Sequence, residues 1–207
     1  KFMSQRLKIN LNDQPIYDIV YEQDFQNLAK ELEPFGINER KLCVITDTRV
    51  KGFYADAICE ELKDNCKEIV VYDFPNGEEN KNLDTVRNIY AFLIQNKFGR
   101  KDMLLALGGG VVGDTTGFVA ATYLRGIDFI QVPTTLLAQV DSSIGGKTGV
   151  DFDQYKNMVG AFYMPKLVYM NVGALKELDD RQFYAGFAEV MKHGLIKDAA
   201  FYEWLLD

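Results

Sequence analysis

The residues of this sequence that are best suited to chemistry lie in one polar stretch between apolar segments. From Thr134 to Asn157, hydroxyl, carboxylate, amide and ammonium groups alternate with glycines and apolar side chains. These groups belong to Thr134, Thr135, Asp141, Ser142, Lys147, Thr148, Lys156 and Asn157. In such surroundings they reduce stability unless they contact one another or a polar ligand. Lysines beside glycines suit phosphate and a nearby aspartate can orient hydroxyl groups, so the stretch indicates a polar ligand site.

Part of this stretch is similar to a nucleotide-binding loop. Gly145-Gly-Lys-Thr148 resembles the tail of a Walker A loop. The earlier glycine that such a loop requires is missing. The sequence therefore disfavours a nucleoside triphosphatase.

A second candidate site follows an apolar strand. Met103 to Leu107 leads into Gly108-Gly-Gly-Val-Val-Gly-Asp114, and ten of the 17 glycines lie between residues 108 and 160. A strand that ends in glycines lets backbone amides converge on an anion, and the N-terminus of the next helix adds partial positive charge. We expect Gly113 and Asp114 to open that helix. The spacing differs from G-x-G-x-x-G, so it predicts a dinucleotide or phosphate loop, with a structural tight turn as the alternative.

Two further signals are weak when taken singly. Glu78 and Lys81 lie three residues apart at an expected helix start. The residues alone favour a capping carboxylate and a solvated lysine there. Asp47 ends an expected strand, where an open α/β sheet binds ligands and an acidic residue can hold a ribose, although the residue alone favours a structural role there too.

Three polar residues share one side of an expected C-terminal helix. Glu189, Lys192 and His193 are spaced at i, i+3 and i+4. A Glu/His pair could bind a metal, but the chain's single histidine cannot complete a catalytic zinc site, which takes three protein ligands. For Glu189 an ion pair with Lys192 or His193 is as plausible as a metal role, and for His193 the sequence favours the pairing.

Apolar periodicity predicts the elements that must position these groups. An alternating pattern around Asn12-Asp13 predicts a hairpin over residues 5–21. Strands are expected over 41–46, 68–72 and 102–107, and helices over 25–32, 53–62 and 83–96. Alternating strands and helices predict an α/β fold, with a Rossmann-like, mainly parallel sheet covered on both faces. From about Gly173 only helical spacing remains, so we expect a cofactor-binding domain over 1–172 and the first helices of an all-α domain over 173–207.

Composition excludes several classes of protein. The 207 residues carry 23 Lys and Arg against 30 Asp and Glu, a formal charge of −7, which argues against binding to nucleic acid or an anionic membrane surface. No run of about 18 apolar residues occurs and the first twenty residues do not form a signal peptide, so we expect a cytoplasmic protein. Cys43, Cys59 and Cys66 lack metal-knuckle spacing and are expected to be reduced thiols.

Taken together, these segments resemble the 3-dehydroquinate synthases, a family of sugar-phosphate cyclases. The likeness runs from about Cys43 to the last residue and is most specific over Gly108 to Asn157 and Ala185 to Lys192. It implies an N-terminal α/β domain that binds NAD and an all-helical domain that completes a site around a divalent metal, zinc or cobalt. It also implies that this chain is a fragment with an incomplete metal site and negligible turnover, because two histidine ligands of the family lie beyond the matched region.

The resemblance assigns roles by position. It implies cofactor contacts at Asp47, Glu78, Lys81, Gly109, Gly110, Val111, Gly113, Asp114, Thr134, Thr135, Lys147 and Lys156. It implies substrate or catalytic contacts at Asp141, Lys147, Lys156, Asn157, Lys192 and Arg125, with Glu189 as the metal ligand. Arg125 would reach the substrate phosphate of a neighbouring subunit, so a homodimer is implied. Glu177 replaces a family threonine, and a carboxylate cannot donate the hydrogen bond that a hydroxyl donates.

The implied reaction is a lyase reaction of the shikimate pathway, in aromatic amino acid biosynthesis. It would convert 3-deoxy-D-arabino-heptulosonate 7-phosphate to 3-dehydroquinate and phosphate, with NAD oxidising a hydroxyl and later returning the hydride. Lys147, Lys156, Asn157 and Arg125 would stabilise the phosphate as charge grows on it. The alternatives are a cyclase that acts on another sugar phosphate, a metal-dependent polyol dehydrogenase that releases NADH, and a non-enzymatic nucleotide-binding module.

Overall fold

A seven-stranded sheet forms the centre of the molecule in a computed structural model that describes residues 4–206. Its strands are β1 (Gln5–Leu11), β2 (Gln14–Glu22), β3 (Lys41–Asp47), β4 (Glu68–Phe74), β5 (Met103–Gly108), β6 (Asp128–Pro133) and β9 (Leu167–Asn171). They are ordered β1-β2-β9-β6-β5-β3-β4. Only the β1–β2 pair is antiparallel; every other pairing in this sheet is parallel. The mainly parallel α/β sheet predicted from the sequence is confirmed.

The hairpin predicted for residues 5–21 is also confirmed. β1 and β2 are joined by Asn12 and Asp13, which have φ of 49° and 61°. Two successive left-handed residues form the type of turn that suits the twist of a two-stranded ribbon, and Asn and Asp tolerate this conformation. β2 then pairs with β9, which attaches the hairpin to the edge of the parallel sheet.

Helices cover both faces of the sheet. The helices are α1 (Leu28–Leu32), α2 (Thr48–Val50), α3 (Asp56–Leu62), α4 (Leu83–Gln95), α5 (Gly110–Thr122), α6 (Asp180–Lys197) and α7 (Ala199–Leu206). A π-helical turn, Lys51–Ala55, joins α2 to α3. Successive side chains of β5 point to opposite faces. Met103 and Leu105 pack into a core with α1 and α3, whereas Leu104 and Ala106 pack with α4 and α5.

The order of the strands places a switch point between β3 and β5. From β3 the chain crosses to β4 on one side, and from β5 it crosses to β6 on the other. In open α/β sheets, ligands bind in the crevice at the carboxyl ends of the strands where the winding direction reverses. Here those ends are Asp47 of β3 and Gly108 of β5. The fold therefore places the predicted glycine loop and Asp47 side by side.

Helix α5 lies close to the sheet because it carries glycine on its inner side. A Cβ atom on Gly113 would lie 2.7 Å from Oε1 of Gln131, and one on Gly117 would lie 3.2 Å from the ring of Phe129, both in β6. The added atom on Gly117 would also collide with the side chain of Thr148, outside this sheet. A backbone this close to its neighbours accepts no side chain at these two positions. α5 begins at Gly110, three residues before the predicted start at Gly113, because Gly109 already serves as its N-cap directly after β5.

A second, two-stranded sheet was not predicted from the sequence. β7 (Lys147–Phe152) and β8 (Tyr155–Phe162) form an antiparallel hairpin that lies against α5. Val150, Val159 and Ala161 pack into the core beneath α5. The sequence signal is weak because Gly149 and Gly160, which pair across the two strands, interrupt the apolar pattern. Their backbones touch, so neither position has room for a side chain.

After β9 the described chain is helical, as expected from about Gly173. A 3-10 segment, Val172–Glu177, leads into α6 and α7. The division into domains at 1–172 and 173–207 stays a prediction, and residues 1–3 and 207 of those ranges lie outside the described residues. Cys43, Cys59 and Cys66 are free thiols, as expected. Within residues 4–206 no helix is long and apolar enough to cross a membrane.

Candidate functional site

The glycine loop forms an open helix N-terminus at the switch point. Gly109 has an extended backbone, and its carbonyl accepts the N–H of Gly113 at 3.0 Å as the first helical bond. The amides of the first helical residues, Gly110, Val111 and Val112, have no acceptor within a helix. Thirteen aligned peptide units add partial positive charge at this end. The loop can therefore bind an anion through its backbone, as the sequence predicts.

Three predicted cofactor contacts surround this N-terminus. The N–H of Thr134 donates to the carbonyl of Gly108 at 3.0 Å, and a Cβ on Gly109 would lie 3.1 Å from the methyl carbon of Thr135. Asp47 is buried, and its Oδ1 accepts the N–H groups of Arg49 and Val50, both at 2.9 Å. Asp47 therefore caps α2, and its second oxygen remains available to a ligand at the crevice.

Lys81 is buried rather than solvated, contrary to what its local sequence suggests. Only 5% of the residue is exposed. Its Nζ donates to Oδ2 of Asp114 at 2.5 Å and to Oδ1 of Asn157 at 2.6 Å. Asp114 lies in α5 and Asn157 in β8, so one ammonium group joins three separate segments of the chain. A buried charge needs such partners, which explains why Lys81 is held in this place.

The charge state of Asp114 depends on opposing effects. Burial raises the pKa of its carboxyl above the ordinary 3.8, while Lys81 lowers it and the charges of Glu78 and Asp141 raise it, and the net shift is upward. When folding raises the pKa of an acid, the acid contributes to the free energy of unfolding. This contribution is complete at any pH below the pKa that the group has in the unfolded chain. That contribution is lost as the pH rises through the folded pKa.

We therefore expect an Asp114→Asn variant to gain stability relative to the native chain as the pH rises from 3.8 through the raised pKa. Asparagine has nearly the same shape and cannot ionise, and the other carboxyls are common to both proteins. Urea unfolding of both chains at a series of pH values measures the difference in free energy. A difference that is constant across the series, or that changes in the opposite direction, would contradict the raised pKa.

Glu78 and Lys156 lie together at the outer rim of the site. Glu78 begins a 3-10 turn, Glu78–Asn80, and its Oε1 accepts from Nζ of Lys156 in β8 at 2.6 Å. Both side chains are largely exposed. The hydrogen bond with Glu78 raises the pKa of Lys156, so the ammonium form persists at neutral pH. The pair connects the turn before α4 to the hairpin and places an ammonium group and a carboxylate at the rim.

A cavity of about 520 Å³ opens between the start of α5, the turn before β7 and the hairpin. Asp114, Asp141, Lys147 and Asn157, all predicted site residues, line it. Its other lining residues are Ser142, Ile144, Thr148, Gly149, Met158, Gly160, Ala161 and Phe162. Lys147 begins a strand rather than a helix, which agrees with the rejection of a Walker A loop. The cavity combines carboxylate, ammonium and amide groups, so it offers hydrogen-bond acceptors, cations and donors to a polar ligand.

The second half of α6 adds a second cluster of ligand groups beside the cavity. Ligand atoms of Asp141, Glu189 and His193 all lie within 4.8 Å of one another. Glu189 forms an ion pair with Lys192, and its Oε1 lies 3.4 Å from Nε2 of His193. The predicted pairing of Glu189 is thus present. Two carboxylates and an imidazole form a donor set that zinc or cobalt accepts, so these residues also fit a divalent metal.

Arg125 is the one predicted catalytic residue that lies away from the others. It is exposed in the turn Tyr123–Arg125, at the opposite end of α5 from the glycine loop. A helix of 13 residues spans roughly 20 Å. Leu124 and Arg125 have left-handed φ of 51° and 70°, which directs the chain sharply away from the helix. Arg125 is therefore far from the glycine loop, and it does not line the cavity.

Two features of the site were not predicted from the sequence: the contact between Ser142 and the glycine loop, and the role of Gln139. Ser142 lies beside the glycine loop, where a Cβ on Gly110 would be 3.1 Å from its Oγ. Gln139 is buried and donates from Nε2 to the carbonyls of Pro133 and Asn171. This fixes the π-helical turn Ala138–Ser142 that carries Asp141. A polar amide among apolar residues is the sequence feature that could have indicated a structural role for Gln139. Nothing in the sequence indicates that Ser142 lies next to Gly110.

The replacement of a family threonine by Glu177 has a local structural context. Glu177 is exposed at the end of the 3-10 segment before α6. Burial first, and then the charge of Glu177, raises the pKa of Tyr54 to about 12. Tyr54 donates its hydroxyl to the carbonyl of Ala174 at 3.1 Å. Asp179 then caps α6 by accepting the N–H of Gln182 at 2.9 Å. Glu177 makes no contact of its own that would take the place of the cofactor contact implied for the family threonine.

Comparison with known proteins gives consistent results. The family described as 3-dehydroquinate synthase N-terminal matches residues 71–185. The 3-dehydroquinate synthase of Acetivibrio thermocellus is 50% identical over 200 residues, which cover 97% of this chain and 55% of that protein. The 3-dehydroquinate synthase of Ruminiclostridium cellulolyticum is 48% identical over 200 residues, which again cover 97% of this chain and 55% of that protein. This chain thus spans about half the length of the curated relatives that it matches.

A solved structure shares the fold and comes from a related cyclase. The complex of 2-deoxy-scyllo-inosose synthase with carbaglucose-6-phosphate, NAD+ and Co2+ is 29% identical to this chain, with a TM-score of 0.85. The match covers 93% of this chain and 52% of that one. The likeness confirms the Rossmann-like architecture expected from the sequence.

Proposed function

Because this chain belongs to the 3-dehydroquinate synthase family, we propose that it forms the NAD-binding part of an enzyme that makes 3-dehydroquinate and phosphate from 3-deoxy-D-arabino-heptulosonate 7-phosphate. The observation that carries the proposal is the cavity next to the glycine loop. It brings Asp114, Asp141, Lys147 and Asn157 together from four elements of the fold. We place the reaction among the lyase steps of the shikimate pathway.

The residues around the switch point fit NAD. Gly109 and Gly110 bring the backbone close to Thr135 and Ser142, where an added Cβ atom would lie 3.1 Å from either side chain. The amides at the start of α5 would hold the diphosphate, and the second oxygen of Asp47 would accept from a ribose hydroxyl. Lys81 would hold Asp114 in place at the nicotinamide end. When bound, NAD supplies a hydride acceptor that is restored within each turnover.

The polar groups of the cavity would bind the substrate. Lys147 and Lys156 present ammonium groups for a phosphate, and Asn157 keeps its amide N–H groups as donors while its Oδ1 accepts from Lys81. Asp141 would orient substrate hydroxyls. Lys192, which lies on α6, is near Asp141. As phosphate leaves, its growing negative charge would be stabilised by these cations.

Glu189 would be the metal ligand contributed by this chain, with zinc or cobalt as the metal. The metal would lower the pKa of a bound substrate hydroxyl. Asp141 and His193 lie close enough to Glu189 to orient it. Arg125 would serve the site of a second subunit, since it lies at the far end of α5 from its own. The homodimer and the cytoplasmic location stay predictions.

A chimera tests this function. Residues 1–207 would be joined to the part of the Acetivibrio thermocellus relative that follows the aligned region. We expect zinc-dependent release of phosphate from 3-deoxy-D-arabino-heptulosonate 7-phosphate without accumulation of NADH, because the hydride returns to the substrate. The assays are phosphate determination and NADH absorbance. We expect residues 1–207 alone to bind NAD and to release negligible phosphate.

Each competing function gives a different result in this chimera. NADH that accumulates in proportion to substrate would identify a polyol dehydrogenase. Phosphate release from sedoheptulose 7-phosphate or cyclisation of glucose 6-phosphate, with no reaction of the heptulosonate, would identify another cyclase. Zinc-dependent phosphate release by residues 1–207 alone would overturn the expectation that this chain lacks part of the site.

A further inference from the structure

We propose that Asp151, in β7, is a positioning residue that holds Lys156 and Asn157 at the rim of the cavity. The inference rests on the proposed function, because the ligand that these two residues would meet is the cofactor or the substrate. Asp151 itself does not line the cavity. It acts through its neighbours, and its place in the hairpin explains how exposed residues keep a defined geometry.

The side chain of Asp151 contacts both residues. Its Oδ1 accepts the backbone N–H of Asn157 at 2.7 Å, and its Oδ2 lies 3.7 Å from Nζ of Lys156. Only 13% of the Asp151 side chain is exposed, although Lys156 and Asn157 are exposed themselves. A hydrogen bond between a carboxylate and an amide is among the stronger ones, and partial burial protects it from competing water.

The backbone of Asn157 explains why such a bond is needed. Asn157 has a left-handed φ of 55° inside β8, and the register of the hairpin shifts between Val150 and Phe152. A non-glycine residue in this conformation is held there by its surroundings. In a regular strand successive side chains alternate between faces, so a return of Asn157 to extended geometry would turn its side chain away from Lys81. The carboxylate of Asp151 holds the irregular form.

The main chain of Asp151 completes the connection. Its N–H donates to the carbonyl of Lys81 at 2.8 Å, next to an isolated parallel bridge between Asn82 and Asp151. The ammonium group of Lys81 in turn reaches Oδ1 of Asn157 at 2.6 Å. Asp151, Lys81 and Asn157 therefore form a closed ring of three hydrogen bonds. Asp151 is the member of this ring that also reaches Lys156.

The test compares NAD binding, measured by calorimetry, across matched variants of the chain. We expect Asp151→Ala to weaken NAD binding about tenfold, the lower end of the effect of removing a supporting contact at a ligand site. Asp151→Asn should stay within about threefold of the native chain, since its amide oxygen can accept the same N–H. Asp153→Asn is the control, because Asp153 lies in the same hairpin with a left-handed φ of 52°.

A double-variant cycle separates positioning from general stability. In an Asn157→Gly background, glycine adopts the left-handed conformation unaided, so Asp151→Ala should weaken NAD binding little further. A small further loss in that background would be the contribution that Asp151 makes through Lys156. Equal losses in both backgrounds would overturn the role of Asp151 in holding Asn157, and native affinity in Asp151→Ala would overturn the whole proposal. If Asp151→Ala does not fold, the Asp151→Asn variant decides. The proposal would be overturned if Asp151→Asn bound NAD more than about threefold more weakly than the native chain.

A measurement without ligand keeps this inference separate from the proposed function. Hydrogen exchange at the Asn157 amide should be at least tenfold faster in Asp151→Ala than in the native chain, because the amide loses its acceptor. Unchanged exchange would overturn the role of Asp151 whether or not NAD binds. Failure of the native chain to bind NAD, with exchange altered as expected, would instead overturn the proposed function.

Discussion

Replacing Lys81 with methionine should destabilise the chain by about 3 kcal/mol or more, the lower end of the range for breaking a buried ion pair. Methionine preserves the apolar stem of lysine but removes the charge. The carboxylate of Asp114 would then remain in a largely buried place without its cation. Oδ1 of Asn157 would lose its donor at the same time. Chemical unfolding of both chains at neutral pH measures the difference.

The same substitution should weaken NAD binding by at least tenfold, because Asp114 and Asn157 would no longer be held at the cavity. The control is the double variant Lys81→Met/Asp114→Asn, in which the unpaired charge is also removed. We expect it to recover a large part of the lost stability but not the NAD affinity. If Lys81→Met were as stable as the native chain, the buried pair would not have the energetic role that its geometry implies.

Local sequence was sufficient for the features that depend on consecutive residues. The apolar strand before Gly108 and the glycines after it predicted a loop at a helix N-terminus, and β5 and α5 form this loop. The Asn12-Asp13 turn and its alternating flanks predicted the first hairpin for the same reason. In each case the residues that determine the structure are neighbours in the chain.

Features that depend on contacts between residues far apart in the sequence could not be predicted from local sequence. The residues next to Lys81 in the sequence predict a solvated lysine. Lys81 is instead buried, and its ammonium group donates to Asn157, which lies 76 residues later in the chain. The hairpin of β7 and β8 is stabilised by packing against α5, whose glycines leave room for it. Because the packing partners are far apart in sequence, the periodicity of either segment alone could not predict the hairpin. The family resemblance supplied Lys81 as a site residue where local pattern did not.

Replacing Gly110 with valine should raise the dissociation constant for NAD about 100-fold. Gly110 begins α5 at the switch point, and its φ lies outside the left-handed region, so valine can adopt the backbone. Its side chain would stand beside Ser142 Oγ, 3.1 Å from the added Cβ, in the space through which a diphosphate reaches the amides. Loss of two hydrogen bonds to a charged group, at about 1.5 kcal/mol each, corresponds to this factor.

Gly52→Val is the matched control, because a Cβ at Gly52 meets nothing within 4 Å and its φ is likewise not left-handed. Calorimetry with NAD should show native affinity for Gly52→Val and affinity about 100-fold weaker for Gly110→Val. Thermal unfolding should show that both variants are folded before heating. Native affinity in Gly110→Val would mean that the dinucleotide does not approach these amides. The assignment of the loop, and of the cofactor site built on it, would then have to be abandoned, because the other helix that begins at the switch point, α2, already has two of its amides bound by Asp47.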